Sequence, residues 1–202
     1  MLGRRCCVAT AALLLTCGAC YRGNPAGQRV AIVGDSVTRL AREEIDEALV
    51  DEFRVDIQVR DGKRIDEMLP VLHHQLSGPT GPPEVVIVNL GTNDAVQGYD
   101  GWPAGFDEVV AATQSVTCVL LVTIAESTNA YGKDGTAAAI NDRIRATASE
   151  HANVHVVDWN EVVATRGLEV SLEGIHPTPL GEQIIADLYR SGIEAGCGGA
   201  TE

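Results

Sequence analysis

Two short stretches carry the residues best suited to covalent chemistry. One is Gly34-Asp35-Ser36 and the other is Glu173-Gly174-Ile175-His176-Pro177. A serine hydroxyl becomes a useful nucleophile only when a base takes its proton, and imidazole is the side chain suited to that work near neutral pH. Glu173 stands three residues before His176, while Gly174 and Pro177 keep the segment from being helical and favour a turn. In such a turn the carboxylate can hold one imidazole nitrogen and leave the other facing Ser36. Acyl transfer also needs donors aimed at a tetrahedral oxyanion, and three are available: the N–H of Ser36, the N–H of Gly62 and the side-chain amide of Asn93. Taken alone, Gly62 and Asn93 are ordinary turn residues. Asp35 and Asp94 read as acceptors that fix loops.

These residues need a frame. The apolar run Val30-Ala31-Ile32-Val33 delivers Ser36 out of a strand, and Val37, Leu40, Ala41, Ile45, Ala48 and Leu49 recur at one-face helical spacing beyond it. Ser36 is thus expected at a helix start, beside free backbone N–H groups. Phe53 to Val59 alternates strictly, as a half-buried strand near a sheet edge does, and Ile65, Met68, Leu69, Leu72 and Leu76 mark a second helix. Val85 to Val88 is continuously apolar, which fits a central parallel strand, and it runs into Gly91-Thr92-Asn93-Asp94. A third helix is expected over about 106–115, a strand at Cys118 to Thr123, and a polar loop from Ala125 to Gly135. A fourth helix then carries Ala137, Ile140, Ile144 and Ala148, a fifth strand spans Val154 to Val157, and a last helix starts behind Thr178-Pro179.

Five strands alternating with five helices predict a three-layer α/β/α domain over residues 29–193, with a five-stranded parallel sheet in flavodoxin-like order. Ligand sites in such sheets lie beyond the carboxyl ends of the strands. Ser36, Gly62, Asn93 and the segment leading to His176 all fall there.

Other chemistries fit less well. Glu-x-x-His also occurs in di-iron bundles, but those require it on helices and in duplicate, so no metal or cofactor is expected. His73 and His74 read as a solvated helix face, and His151 and His155 as helix-end and strand-face residues. The 202 residues contain 15 Lys plus Arg against 28 Asp plus Glu, a net charge of −13, which argues against nucleic acid or an anionic membrane held by charge.

Residues 1–20 have the profile of a signal peptide: Arg4 and Arg5, an Ala- and Leu-rich run, then small residues up to Cys20. Gly18-Ala19-Cys20 also has the form of a lipobox end, with Cys20 as a lipidation site and a membrane contact only through that lipid. Residues 21–28 read as a tether and 194–202 as a flexible tail. Cys118 and Cys197 then remain in an exported body, which favours a disulfide over two separate buried thiols, and the expected topology permits it.

In their order, Gly-Asp-Ser, Gly62, Gly-Thr-Asn-Asp and acid-x-x-His resemble the SGNH, or GDSL, hydrolases, from Arg29 to Ile193. The resemblance implies Ser36 as nucleophile, His176 as base, Glu173 as third member, and an oxyanion hole from Ser36, Gly62 and Asn93. The partner it implies is an ester-bearing small molecule, lipid or glycan, and no cofactor. Val157-Asp158-Trp159 before the His176 segment is similar to an extracellular acyltransferase-associated branch. Two positions depart from the family pattern: Val37 replaces a leucine, and Glu173 replaces an aspartate. The expected activity is an exported serine esterase acting on short acyl or O-acetyl groups. Transfer to a cell-envelope sugar, or a catalytically silent glycan- or partner-binding lipoprotein, are the alternatives.

Overall fold

The computed structural model describes residues 21–78, 81–132 and 135–198. The segment expected to be a signal peptide and the expected lipidation site Cys20 therefore lie outside the described residues. In chain order the elements are β1 (Arg22–Gly23), β2 (Arg29–Gly34), α1 (Ser36–Leu40), α2 (Arg42–Leu49), β3 (Arg54–Val59), α3 (Ile65–Leu76), β4 (Val85–Asn89) and α4 (Thr92–Gln97). They continue with α5 (Trp102–Thr113), β5 (Cys118–Val122), α6 (Thr136–Glu150), β6 (Val154–Val157), α7 (Trp159–Arg166), β7 (Ser171–Leu172), β8 (His176–Pro177) and α8 (Pro179–Gly196).

The main sheet runs β1-β3-β2-β4-β5-β6. Its five long strands are parallel, in the flavodoxin-like order expected from the sequence. Each face of these strands has its own core. Val30, Ile32, Ile57, Ile87 and Leu120 pack with Ile45, Leu49, Ile185 and Tyr189 of α2 and α8. Ala31, Val33, Val86, Val119 and Leu121 pack with Met68, Leu72, Phe106 and Ile140 of α3, α5 and α6. β2, β4 and β5, buried on both faces, have no polar side to alternate, which is why they read as unbroken apolar runs.

Three of the differences from the sequence expectation concern the sheet edge, the first helix and the C-terminus. The sheet gains a sixth strand, because Arg22 and Gly23 pair antiparallel with Val55 and Arg54. The segment read as a tether is thus tied down, with the Asn24 N–H donating to the Val50 and Phe53 carbonyls and the Arg54 guanidinium over the Tyr21 ring. The exposed edge of β3 supplies the backbone groups for this pairing, which two residues are too few to signal by periodicity. The helix after Ser36 is broken at Ala41 (φ −79°, ψ 7°). Val37, Ala41, Ile45 and Leu49 stay buried across the break, so their four-residue spacing hides it.

The third difference lies at the C-terminus. α8 continues to Gly196, and Cys197 is disulfide-bonded to Cys118 with the Cα atoms 5.5 Å apart. The stretch from residue 194 to Cys197 is therefore part of the fold and not a free tail. The bond joins the start of β5 to the end of α8, at the end of the sheet opposite the carboxyl ends of the parallel strands. Among the described residues no helix is long and apolar enough to cross a membrane.

Candidate active site

Ser36 is the first residue of α1, and two local features place it. Asp35 caps the helix, its Oδ1 accepting the Val37 N–H at 3.0 Å. Gly34 lies so close to Thr38 that a Cβ there would stand 2.3 Å from Thr38 Oγ1, so only glycine lets α1 fold back onto β2. Thr38 in turn lies 3.3 Å from the buried Tyr189 hydroxyl, which also accepts from Asn89 Nδ2 at 2.9 Å. These bonds tie α1 to α8 and β4.

His176 comes from the far side of the chain, 140 residues away, yet its Nε2 lies 3.2 Å from Ser36 Oγ. Its other nitrogen, Nδ1, lies 2.5 Å from Glu173 Oε1. A proton on Nδ1 donated to Glu173 leaves the Nε2 lone pair free to accept from the serine hydroxyl, the arrangement required of a general base. The two ends of the hairpin differ in how they are held. β7 and β8 pair at its base, where Thr178 binds the Glu169 and Val170 carbonyls. At its tip a turn is closed by the Ile175 N–H donating to the Leu172 carbonyl at 2.9 Å. Glu173 and Gly174, the central residues of that turn, have φ of 42° and 75°.

The remaining predicted residues lie beyond the ends of neighbouring strands, Gly62 in a turn and Asn93 in a helix. Asn93 sits in the first turn of α4, a helix that is not among the five expected from the sequence. Its Nδ2 donates to Asp35 Oδ2 at 3.2 Å, which leaves the second amide hydrogen free for a ligand. Gly62 has φ 69° in the turn after β3, and a Cβ there would meet nothing within 4 Å. Its carbonyl accepts from Gln97 Nε2 of α4 at 3.1 Å, and neighbouring Asp61 pairs with Arg39 of α1 at 2.5 Å. The turn at Gly62 is thereby bonded to α4, which bears Asn93, and to α1, which bears Ser36.

Two buried carboxylates lie behind the site. Burial pushes Asp35 up to about 7, against the opposing pull of the Val37 N–H, the Thr92 hydroxyl and His176. Burial also pushes Asp94 up to about 6, although its Oδ2 accepts the Ile65 N–H at 3.0 Å. Both fix loops, as their positions in the sequence suggested.

Some contributors carried no sequence signal. Asn141 clamps the end of β5, accepting the Ile124 N–H and donating to its carbonyl at 2.9 and 2.8 Å. Ser127 reaches the Glu173 turn, its hydroxyl donating to the Gly174 carbonyl at 2.6 Å. His73 and His155 stand apart from the Ser36–His176–Glu173 cluster: His73 pairs with Glu108 on an exposed surface, and His155 lies against Gly196.

Among solved structures, the catalytic domain of peptidoglycan O-acetyltransferase A (OatA) from Streptococcus pneumoniae, with a methylsulfonyl adduct, is similar at TM-score 0.72 and 17% identity. The match covers 85% of this chain and 96% of that one. The acetyl xylan esterase AlAXEase gives 0.68 and 20% identity, covering 82% and 99%. A lipolytic G-D-S-L family member from Veillonella parvula gives 0.64 and 22%, covering 82% and 96%. At these identities the likeness is one of fold. No curated protein matches the chain. The GDSL-like lipase/acylhydrolase family model, however, matches residues 31–184, a span that includes Ser36, Gly62, Asn93, Glu173 and His176, and the chain belongs to that family.

Proposed function

We propose that the protein is an exported serine esterase that removes short acyl or O-acetyl groups from an ester-bearing substrate. The observation that carries this reading is the continuous relay from Ser36 Oγ to His176 Nε2, 3.2 Å, and from His176 Nδ1 to Glu173, 2.5 Å. Ser36 attacks the ester carbonyl carbon while its proton passes to His176. The resulting oxyanion receives hydrogen bonds from the Ser36 N–H, the Gly62 N–H and the free Asn93 amide hydrogen. Collapse expels the alcohol, which takes the proton from His176, and an acyl group remains on Ser36. Water, deprotonated by His176, then releases the acid and restores the serine.

The side chains of His176 and Glu173 are 37% and 42% exposed while Ser36 is buried, so the base and the acid open to solvent beside a recessed hydroxyl. An open site suits an acyl group displayed on a glycan. Export is supported by the leader-like residues 1–20 and by the Cys118–Cys197 bond, since disulfides persist mainly outside the cytoplasm.

The same intermediate can be captured by a sugar hydroxyl in place of water, and the fold likeness to an O-acetyltransferase domain favours keeping this second reading. Release of p-nitrophenol from acetate, butyrate and octanoate esters, beside Ser36→Ala, tests the esterase. Serine-dependent turnover that falls with chain length supports it, and turnover that persists in Ser36→Ala opposes it. Acceleration by added oligosaccharide, with the acyl group recovered on sugar, would identify a transferase.

A further inference from the structure

The acid of the triad sits at the least supported point of the site. Its hairpin has two residues per strand, too small to be stable by itself, and Glu173 stands in the left-handed region, which non-glycine residues seldom occupy. Apart from the Glu173–His176 pair, the side-chain bond that reaches the turn tip among the described residues comes from Ser127.

Ser127 is itself firmly seated, in a 3-10 turn over Glu126–Ala130. On one side of it, the Glu126 N–H donates to Asn160 Oδ1 at 2.9 Å, and Glu126 Oε1 accepts from Asn160 and Asn141 at 3.0 and 3.3 Å. On the other side, the fully buried Thr128 donates through its hydroxyl to the Ala125 carbonyl at 2.8 Å. The clasp is also close-fitting, since a Cβ on Gly174 would stand 2.7 Å from Ser127 Cβ.

We propose that Ser127 is a positioning residue for the triad: by donating to the Gly174 carbonyl from a rigid turn, it holds Glu173 in the backbone conformation from which its carboxylate reaches His176 Nδ1. The inference rests on the triad reading above. Ser127 touches neither substrate nor reacting atoms, and acts through the turn. It extends the site, through Ser127, to the loop after β5.

The test is kinetic and spectroscopic. In Ser127→Ala, kcat for p-nitrophenyl acetate is expected to fall about tenfold, the scale of one ordinary hydrogen bond, with KM unchanged. Ser127→Thr, which keeps the hydroxyl, restores it, and Gly174→Ala reproduces the loss. The downfield proton resonance of His176 Nδ1–H, a readout independent of turnover, is expected to move upfield or broaden in Ser127→Ala and return in Ser127→Thr. An unchanged kcat and an unchanged resonance in folded Ser127→Ala would overturn the proposal. Turnover surviving Ser36→Ala would instead overturn the triad reading, and the resonance would still decide the fate of Ser127.

Discussion

Glu173 reaches His176 Nδ1 at 2.5 Å from a backbone φ of 42°, and it is the one non-glycine residue with positive φ among those described. Asp and Asn tolerate the left-handed region better than longer side chains, because their short polar group can bond locally. The extra methylene of glutamate thus combines a longer reach with a less comfortable backbone. Glu173→Asp is expected to keep activity within about tenfold of the parent and to raise thermal stability slightly, by less than about 1 kcal/mol. Glu173→Gln keeps the length but loses the charge that fixes the imidazole, and its kcat is expected to fall by up to about 10⁴. Steady-state kinetics on the two variants check both statements.

Asn93 offers one amide hydrogen to Asp35 and has one to spare. If the second serves the oxyanion, Asn93→Ala lowers kcat by about 10²–10³ while KM changes little. An equal loss in substrate affinity would assign Asn93 to ground-state binding.

How far the site was legible in the sequence depends on the range over which each feature is encoded. Glu173 and His176 are three residues apart around Gly174, so their pairing could be read locally. Ser36 and His176 are 140 residues apart, and only the parallel-sheet topology, itself read from the apolar runs, predicts that they meet. By contrast, α4 holds Asn93, Asp94 and Gln97 in six residues, with no apolar period to announce a helix. Ser127, Tyr189 and Asn141 act through one to three side-chain hydrogen bonds across the fold, which leave no trace in spacing. β1 is paired by two residues and has no pattern of its own.

Asp35 gives a pH dependence of stability whose sign can be worked out. Burial raises this carboxyl from 3.8 to about 7 in the folded protein. The folded state therefore holds a proton that the unfolded chain releases, and the contribution is full below about pH 4 and is lost as pH rises to about 7. About three pH units at about 1.4 kcal/mol each put the loss at about 4 kcal/mol at most. Asp94, raised to about 6, acts in the same direction. Urea unfolding between pH 5 and 8 is expected to show stability falling with pH, and Asp35→Asn is expected to flatten the slope in part. A slope unchanged by Asp35→Asn would rule out this assignment.

The Cys118–Cys197 bond closes a loop of 79 residues at the end of the sheet away from the triad. Cys118→Ala with Cys197→Ala is expected to lower unfolding free energy by up to about 4 kcal/mol while kcat at room temperature stays near the parent value. Calorimetry and the ester assay check the two halves separately.

The proposed esterase mechanism requires Ser36, activated by His176, to carry the acyl group. The most direct measurement is intact-mass and peptide mass spectrometry after treatment with a sulfonyl fluoride, alongside loss of esterase activity. One adduct is expected, on the peptide containing Ser36, formed in step with inactivation, with slow labelling in His176→Ala. Inactivation with the adduct elsewhere, or labelling as fast in His176→Ala as in the parent, would contradict it.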